Sequence, residues 1–148
     1  MERDFAIDRK IDKFKLDSEA EHNAVIIDYY GNEYARARSD MNAKDTFLDT
    51  LYAKKGLYYQ KNPIDGLKTT DTSIKNMVDS DEEIVQAKME LDKAKEKFYF
   101  MEVAYETVKE RSTQIGNLTK LWLGGYFSTQ PNVTENKGDS LRENLNVS

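Results

Sequence analysis

The chain contains no cysteine, and His22 is its only histidine. The lack of cysteine excludes disulfides and thiolate chemistry, and a lone histidine argues against a histidine-based metal site or a Ser/His/Asp triad. Proline occurs twice and glycine seven times in 148 residues, while 33% of the residues are charged. Such a composition is typical of long solvated helices. We therefore expect a helical protein that is not an enzyme and needs no metal or cofactor.

Long apolar runs are also missing. No stretch approaches the ~20 apolar residues of a membrane span, and the charged start MERDFAIDRK lacks the apolar segment of a signal peptide. These features predict a cytoplasmic protein with no membrane contact. The formal net charge is −5, so binding to nucleic acid would require a local basic patch, or several patches summed over an oligomer.

A regular, mostly apolar repeat extends from residue 84 to residue 122. Its positions alternate in steps of three and four, which is the a/d spacing of a coiled coil. They are Ile84, Ala87, Leu91, Ala94, Phe98, Met101, Tyr105, Val108, Ser112, Ile115, Thr119 and Trp122. Ser80 and Glu83 form a capping-box pattern just before the repeat, and Gly124-Gly125 follows it. The pattern predicts a helix over about residues 81–123.

A second repeat lies earlier in the chain. Ser18 and Glu21 fit another capping box, and the same spacing then continues for about 30 residues. Its positions are Ile27, Tyr30, Tyr34, Ala37, Met41, Lys44, Leu48, Leu51, Lys55 and Tyr58. This repeat predicts a helix over about residues 19–59. The turn dipeptides Asn62-Pro63 and Asp65-Gly66 favour a loop over residues 60–79.

These elements predict an all-α fold, with two long helices in an antiparallel coiled-coil-like hairpin and a short N-terminal arm. We expect one helical domain over residues 1–127. Residues 128–148 are rich in Ser, Thr, Asn and charge, and we expect them to form a disordered tail because they cannot bury enough apolar surface. The antiparallel geometry places Tyr58 near Glu82 and Ile27 near Thr113.

Apolar side chains outside the paired faces suggest contact between copies of the chain. The predicted interface residues are Tyr99, Phe100, Val103, Leu118 and Leu121, together with Trp122 at the last position of the repeat. Cover by the N-terminal arm is the alternative, but one short arm is too small to cover both helices. We therefore favour assembly into a homo-oligomer.

Basic and aromatic residues alternate near the end of the first long helix. Residues 50–68 hold four lysines against one acid, Asp65. Lysines neutralise phosphates, and aromatic faces stack on bases without reading sequence. The candidate residues for binding single-stranded nucleic acid are Lys54, Lys55, Tyr58, Tyr59, Lys61 and Lys68.

The same residues also have a purely structural interpretation. The hairpin brings Lys54 and Lys55 near Glu82 and Glu83, where they can form surface ion pairs worth ~0–1 kcal/mol. Tyr58 lies on the predicted seam, where it would be buried. The acids at residues 79–83 are accounted for by helix capping, so they do not call for a metal.

The order of these segments resembles the UvsY-type recombination mediators of T4-like phages. The similar segments are residues 11–16, 51–59, 79–84 and 115–127. The resemblance implies a homo-oligomeric ring that binds single-stranded DNA. It also implies that the ring helps to load a RecA-like phage recombinase onto DNA covered by phage single-strand-binding protein. By the same resemblance, Lys55 and Lys54 match basic residues that contact DNA, whereas Ala53 stands where another basic residue is expected.

Two other classes of function remain open from the residues themselves. A coiled-coil structural or adaptor protein would use its helix faces alone and would not bind nucleic acid. A regulatory subunit would instead bind an enzyme through the second apolar face.

Overall fold

The structure is a computed structural model that describes residues 3–62 and 70–126. These residues form four helices and contain no strand: α1 (Phe5–Asp8), α2 (Leu16–Lys61), α3 (Asp71–Ser80) and α4 (Glu82–Leu123). The two long helices, α2 and α4, pack against each other in antiparallel fashion, which confirms the predicted all-α hairpin. The predicted tail over residues 128–148 lies outside the described residues.

The long helices begin and end close to the predicted positions, with small differences at their starts. Helix α2 begins at Leu16, before the predicted Ser18 cap, and it ends at Lys61 just ahead of Pro63. Helix α4 begins after Asp81, whose side chain accepts from the Glu83 N–H at 3.0 Å and so replaces the predicted Ser80 cap.

At its C-terminal end, α4 stops at the two glycines that the sequence indicated. Gly125 has a φ of 73°, and the Tyr126 N–H donates to the Leu121 carbonyl at 3.1 Å. The Gly125 N–H donates to the Trp122 carbonyl at 3.0 Å. These two bonds form a Schellman motif, in which glycine adopts the left-handed conformation without steric cost.

Helix α3 lies almost entirely inside the segment predicted as a loop, so that prediction is wrong for residues 71–79, and also for residues 60–61, which belong to α2. Thr70 and Ser73 satisfy each other's backbone N–H groups in a capping box. Val78 is buried in the core between the helices, and Ile74 packs against the same cluster. A capped start and an apolar i, i+4 pair suffice for a short helix once α2 offers a surface to cover.

The core consists of two clusters along the hairpin. The first lies at the α3 end and contains Leu48, Val78, Ile84, Ala87 and Leu91. The second lies toward the N-terminal arm and contains Ile26, Tyr30, Ala104 and Val108. Between them the Tyr34 ring stacks on Phe98 at 5.5 Å and on Tyr105 at 5.6 Å.

The predicted seam of α4 holds closely at one end and only in part at the other. The seam positions from Ile84 to Ala94 are buried as expected, and so are Val108 and Ile115 further along. In that second part Ala104 and Arg111 are buried as well, whereas Ser112 is exposed. The shift arises because the N-terminal arm packs there as a third element. Arg111 donates to the Lys10 carbonyl at 3.1 Å and also bonds to Asn23 and Glu19.

The N-terminal arm is held by buried polar contacts as well as apolar ones. Asp8 accepts from Arg3 at 2.8 Å and from the Tyr30 hydroxyl at 3.1 Å. The hydrogen bond from Arg3 lowers the pKa of Asp8, and burial raises the pKa of Tyr30. The Phe5 ring meets Tyr30 edge-on at 5.8 Å. The arm therefore docks on the long helices.

The register of the hairpin agrees with expectation at the α3 end, where the Tyr59 hydroxyl donates to Asp81. At the opposite end Asn23 donates to Ser112, five residues before position 117, which the predicted register places opposite Asn23. None of the helices in the described residues combines the length and the apolar character that a membrane span requires.

Candidate nucleic-acid interface

The C-terminal end of α2 has an inner face that points toward the junction of α3 and α4. Tyr52, Lys55 and Tyr59 are separated by three and four residues, so they lie on one side of the helix. All three are partly buried. We call these residues the inner face.

Lys55 is bound on the inner face by two carboxylates. Its Nζ lies 3.0 Å from Asp81 Oδ2 and 3.2 Å from Glu83 Oε2, and its side chain is 20% exposed. The hydrogen bond with Asp81 raises the pKa of Lys55, and the same bond lowers the pKa of Asp81. The positive charge of Lys55 is therefore neutralised within the protein.

The two inner-face tyrosines are also hydrogen-bonded to acids. Tyr59 donates to Asp81 at 2.8 Å, and this bond raises the pKa of Tyr59. Tyr52 donates to Asp79 at 2.7 Å, and Lys88 Nζ lies 3.1 Å from the same carboxylate. The hydrogen bond from Tyr52 is the main cause that lowers the pKa of Asp79, and the hydrogen bond from Lys88 is the second. The acids that precede α4 thus serve as caps and internal partners.

A second set of residues on α2 points outward. Lys54, Tyr58 and Lys61 are separated by four and three residues and are all exposed. We call them the outward stripe. The Tyr58 side chain is 58% exposed, so its predicted burial on the seam is wrong. Within the described residues, neither Lys54 nor Lys61 forms an ion pair. Lys68 lies outside the described residues.

The sequence-predicted candidates therefore separate into two groups. Lys55 and Tyr59 are engaged in internal bonds, whereas the outward stripe presents two lysines and one aromatic ring to solvent. The antiparallel geometry correctly suggested that Lys55 meets Glu83, and it did not foresee that Lys54 stays exposed.

Helix α3 adds features that the sequence analysis missed. It brings Lys75 beside the C-terminal end of α2, and a groove opens between the two helices. The Thr70 and Ser73 capping pair was the available signal. No cluster of three or more potential metal ligands occurs among the residues that the structure describes.

The predicted residues for contact between copies lie on the outer part of α4. Tyr99 and Val103 are 58% and 63% exposed, and Phe100 meets the Phe5 ring of the arm edge-on at 6.1 Å. Leu118 is half-buried and Leu121 is exposed. Trp122 is also exposed, and its indole N–H donates to the Lys13 carbonyl at 3.0 Å. The arm covers this surface only in part, and Tyr99 and Val103 remain exposed at the end of it nearer the middle of α4.

A comparison with known families identifies the kind of protein that carries these surfaces. Residues 4–122 match the family model described as recombination, repair and ssDNA binding protein UvsY. The chain belongs to the UvsY family. The resemblance inferred from the sequence is thereby confirmed, and the matched region contains α1, α2, α3 and nearly all of α4.

Crystal structures of the bacteriophage T4 recombination mediator protein UvsY have a similar fold. The lattice type IV structure is 17% identical with a TM-score of 0.67, and the alignment covers 80% of this chain and 90% of that chain. The type I structure is 18% identical with a TM-score of 0.67, covering 80% of this chain and 93% of that one. At this level of identity the likeness establishes the shared UvsY fold. A search of curated proteins by sequence finds no match.

Proposed function

We propose that this protein binds single-stranded DNA and acts as a mediator in recombination and repair. The observation that carries the proposal is the family match over residues 4–122, since the family is described by recombination, repair and ssDNA binding. The T4 structures that share the fold are described as a recombination mediator protein.

The outward stripe is the proposed contact with DNA. Lys54 and Lys61 are exposed and have no ion pair within the described residues, so phosphates can reach both ammonium groups. Neutralising a phosphate releases condensed counterions, which favours binding at low salt. Tyr58 lies between the two lysines, and its exposed ring can stack on a base at about 1–3 kcal/mol.

The proposed mechanism is multivalent. A chain of net charge −5 with two accessible lysines on the stripe makes few phosphate contacts by itself. A ring of copies would sum these weak contacts along one strand, because linked sites raise the effective concentration for each further contact. The exposed apolar residues around Tyr99 and Val103 are the proposed contact between copies.

Membership of the UvsY family also supports a more specific role in recombination. We propose that the ring holds single-stranded DNA while a RecA-like recombinase replaces single-strand-binding protein on it. No step of this role requires bond-making chemistry by the protein, since its proposed contribution is binding and positioning alone.

The proposed DNA site is tested by replacing Lys54 and Lys61 together with alanine. Fluorescence anisotropy with a single-stranded oligonucleotide should show weaker binding. The slope of log K against log salt should become shallower by about 0.7 for each phosphate that the variant no longer neutralises. The matched control replaces Lys93 and Lys97, two lysines on α4 that are interspersed with acids and exposed. That control should bind as the unmodified protein does.

Equal weakening of binding in the two double variants would remove the outward stripe as the binding site. An unmodified protein whose binding to the oligonucleotide does not depend on salt would contradict the proposed function itself. That result would favour the adaptor alternative, in which helix faces are the only binding surfaces.

A further inference from the structure

A groove of about 600 Å³ lies between α2 and α3, next to the outward stripe. Its volume falls within the range of ~300–1,000 Å³ that is typical of pockets for small molecules. Leu57 and Ile74 line opposite sides, and Val78, which is 3% exposed, lies at its base. Tyr52 forms a fixed part of the wall because its hydroxyl is bonded to Asp79.

Gly56 also lines this groove, and packing does not account for it. A glycine in a helix interior costs roughly 0.5–1 kcal/mol relative to alanine. A Cβ atom at residue 56 would have no heavy atom within 4 Å. Gly31 of the same helix differs, since a Cβ there would lie 3.2 Å from a ring carbon of Tyr105. The open space at Gly56 belongs to the groove, and the missing side chain deepens it.

The charges around the groove favour a polyanion. Leu57 lies three residues after Lys54 and four before Lys61, so both lysines stand beside the groove on α2. Lys75 lies on α3 across from them, and Asp71 is the one acid among the described residues that line the groove. An apolar interior bordered by three lysines fits a ligand that combines flat apolar rings with regularly spaced phosphates.

From this arrangement we infer that the groove receives a nucleobase of bound single-stranded DNA, while the flanking phosphates lie on Lys54, Lys61 and Lys75. The inference rests on the proposed function and adds a base-binding site to it. The apolar walls contact a base through its faces, which all four bases share, so the site binds DNA without selecting its sequence. Gly56 is the residue that keeps the groove open.

The experiment combines a substitution that fills the groove with a comparison of two DNA strands, one with bases and one without. Gly56→Leu places a side chain in the groove, and Gly116→Leu is the matched control. Gly116 is an interior glycine of α4 that also has no heavy atom within 4 Å of its Cβ position. Fluorescence anisotropy compares an oligothymidylate with an abasic oligonucleotide of the same length, which carries the same phosphates. Circular dichroism and sedimentation verify the fold and the assembly.

The unmodified protein should bind the oligothymidylate about tenfold more tightly than the abasic strand. Gly56→Leu should lose the part of this preference that the Tyr58 ring does not supply, which is isolated by making the same change in a Tyr58→Ala background. It should keep its affinity for the abasic strand, whereas Gly116→Leu should keep both. Gly56→Ala should give a smaller loss of preference, and its fold is secure because alanine is a better helix former than glycine.

Several results would overturn the inference while leaving salt-dependent DNA binding intact. Equal affinity of the unmodified protein for the two strands would show that no base is bound. A base preference that Gly56→Leu leaves unchanged would assign the whole of that preference to the Tyr58 ring outside the groove. Equal weakening for both strands in Gly56→Leu would implicate the phosphate contacts. Absence of binding to either strand would overturn the proposed function together with the inference.

Discussion

Tyr58 and Tyr59 are neighbours in the sequence with different environments in the structure. The heptad repeat placed Tyr58 on the seam, yet Tyr59 is the residue that packs on the core and bonds to Asp81. A straight α-helix drifts by about 20° per heptad from a 3.5-residue repeat. Over the more than four heptads from Ile27 to Tyr58, this drift adds up to nearly the rotation of about 100° that separates successive residues of a helix. The sequence therefore predicted an aromatic contact here and misplaced it by one residue.

The pairing of Lys55 with Asp81 makes stability depend on pH. The folded pKa of Asp81 is lowered from an ordinary value of 3.8, so its contribution is present above that pH and is lost as the pH falls through the folded pKa. The folded pKa of Lys55 is raised from 10.5, so its contribution persists below that pH and is lost only at higher pH.

Replacing Lys55 with methionine should therefore lower the urea midpoint at pH 7 and reduce the further fall of that midpoint between pH 5 and pH 2. Lys54→Met is the matched control, because Lys54 is exposed and forms no ion pair within the described residues. The measurement is urea unfolding followed by circular dichroism across this pH range. Identical pH profiles for the two variants would show that the Lys55 pair does not contribute to stability.

At the scale of elements, α3 depends on its N-terminal cap. The Thr70 hydroxyl accepts from the Ser73 N–H at 3.2 Å. Thr70→Ala should lower the free energy of unfolding by about 1 kcal/mol, since it leaves that donor without its side-chain partner. Thr72→Ala removes the same group from an exposed position inside the helix and serves as the control.

Urea unfolding of the two variants tests the cap. If Thr70→Ala and Thr72→Ala are equally stable, the capping box does not stabilise the protein. Because α3 forms one wall of the groove, Thr70→Ala should also weaken the preference for strands that carry bases over abasic ones.

The long helices were predictable from sequence because their apolar repeats last for many turns. The repeat from Ile84 to Ala94 corresponds directly to buried residues. Helix α3 was not predicted because ten residues carry too few repeats to outweigh the turn signals of Asn62-Pro63 and Asp65-Gly66. The shift toward Ala104 and Arg111 depends on docking of the N-terminal arm, a tertiary contact that no local pattern encodes.

The candidate site was predictable in composition and only partly in geometry. The basic and aromatic character of residues 50–68 indicated where contacts with nucleic acid would concentrate. Which lysines remain available depends on the partners that the fold supplies, and Lys55 meets Asp81 across the hairpin while Lys54 does not. Lys75 became part of the surface only through the packing of α3.

At the scale of the whole molecule, the exposed patch around Tyr99 and Val103 should govern assembly. Replacing both residues with serine should raise the concentration at which the oligomer dissociates by at least roughly tenfold, because apolar area no longer leaves water on assembly. The fold should persist, since the two side chains are 58% and 63% exposed in the protomer. Sedimentation velocity over a range of concentrations measures the change.

Val85→Ser is the control for this experiment. Val85 is also exposed on α4, but it lies near the α3 end of the hairpin and away from the patch. Assembly that responds equally to both sets of changes, or to neither, would remove the patch as the contact between copies.

The inner-face contacts also bear on how much chain entropy the hairpin must lose. The Tyr59–Asp81 bond joins residues 22 apart in sequence, whereas the Trp122–Lys13 bond joins residues 109 apart. The entropy lost in closing a loop grows with the logarithm of its length, and the difference between these two closures is about 1.4 kcal/mol. Once the shorter loop is closed, each further contact between α2 and α4 costs only a small additional loss of chain entropy. The α3 end is thus the point from which closing the hairpin costs the least chain entropy.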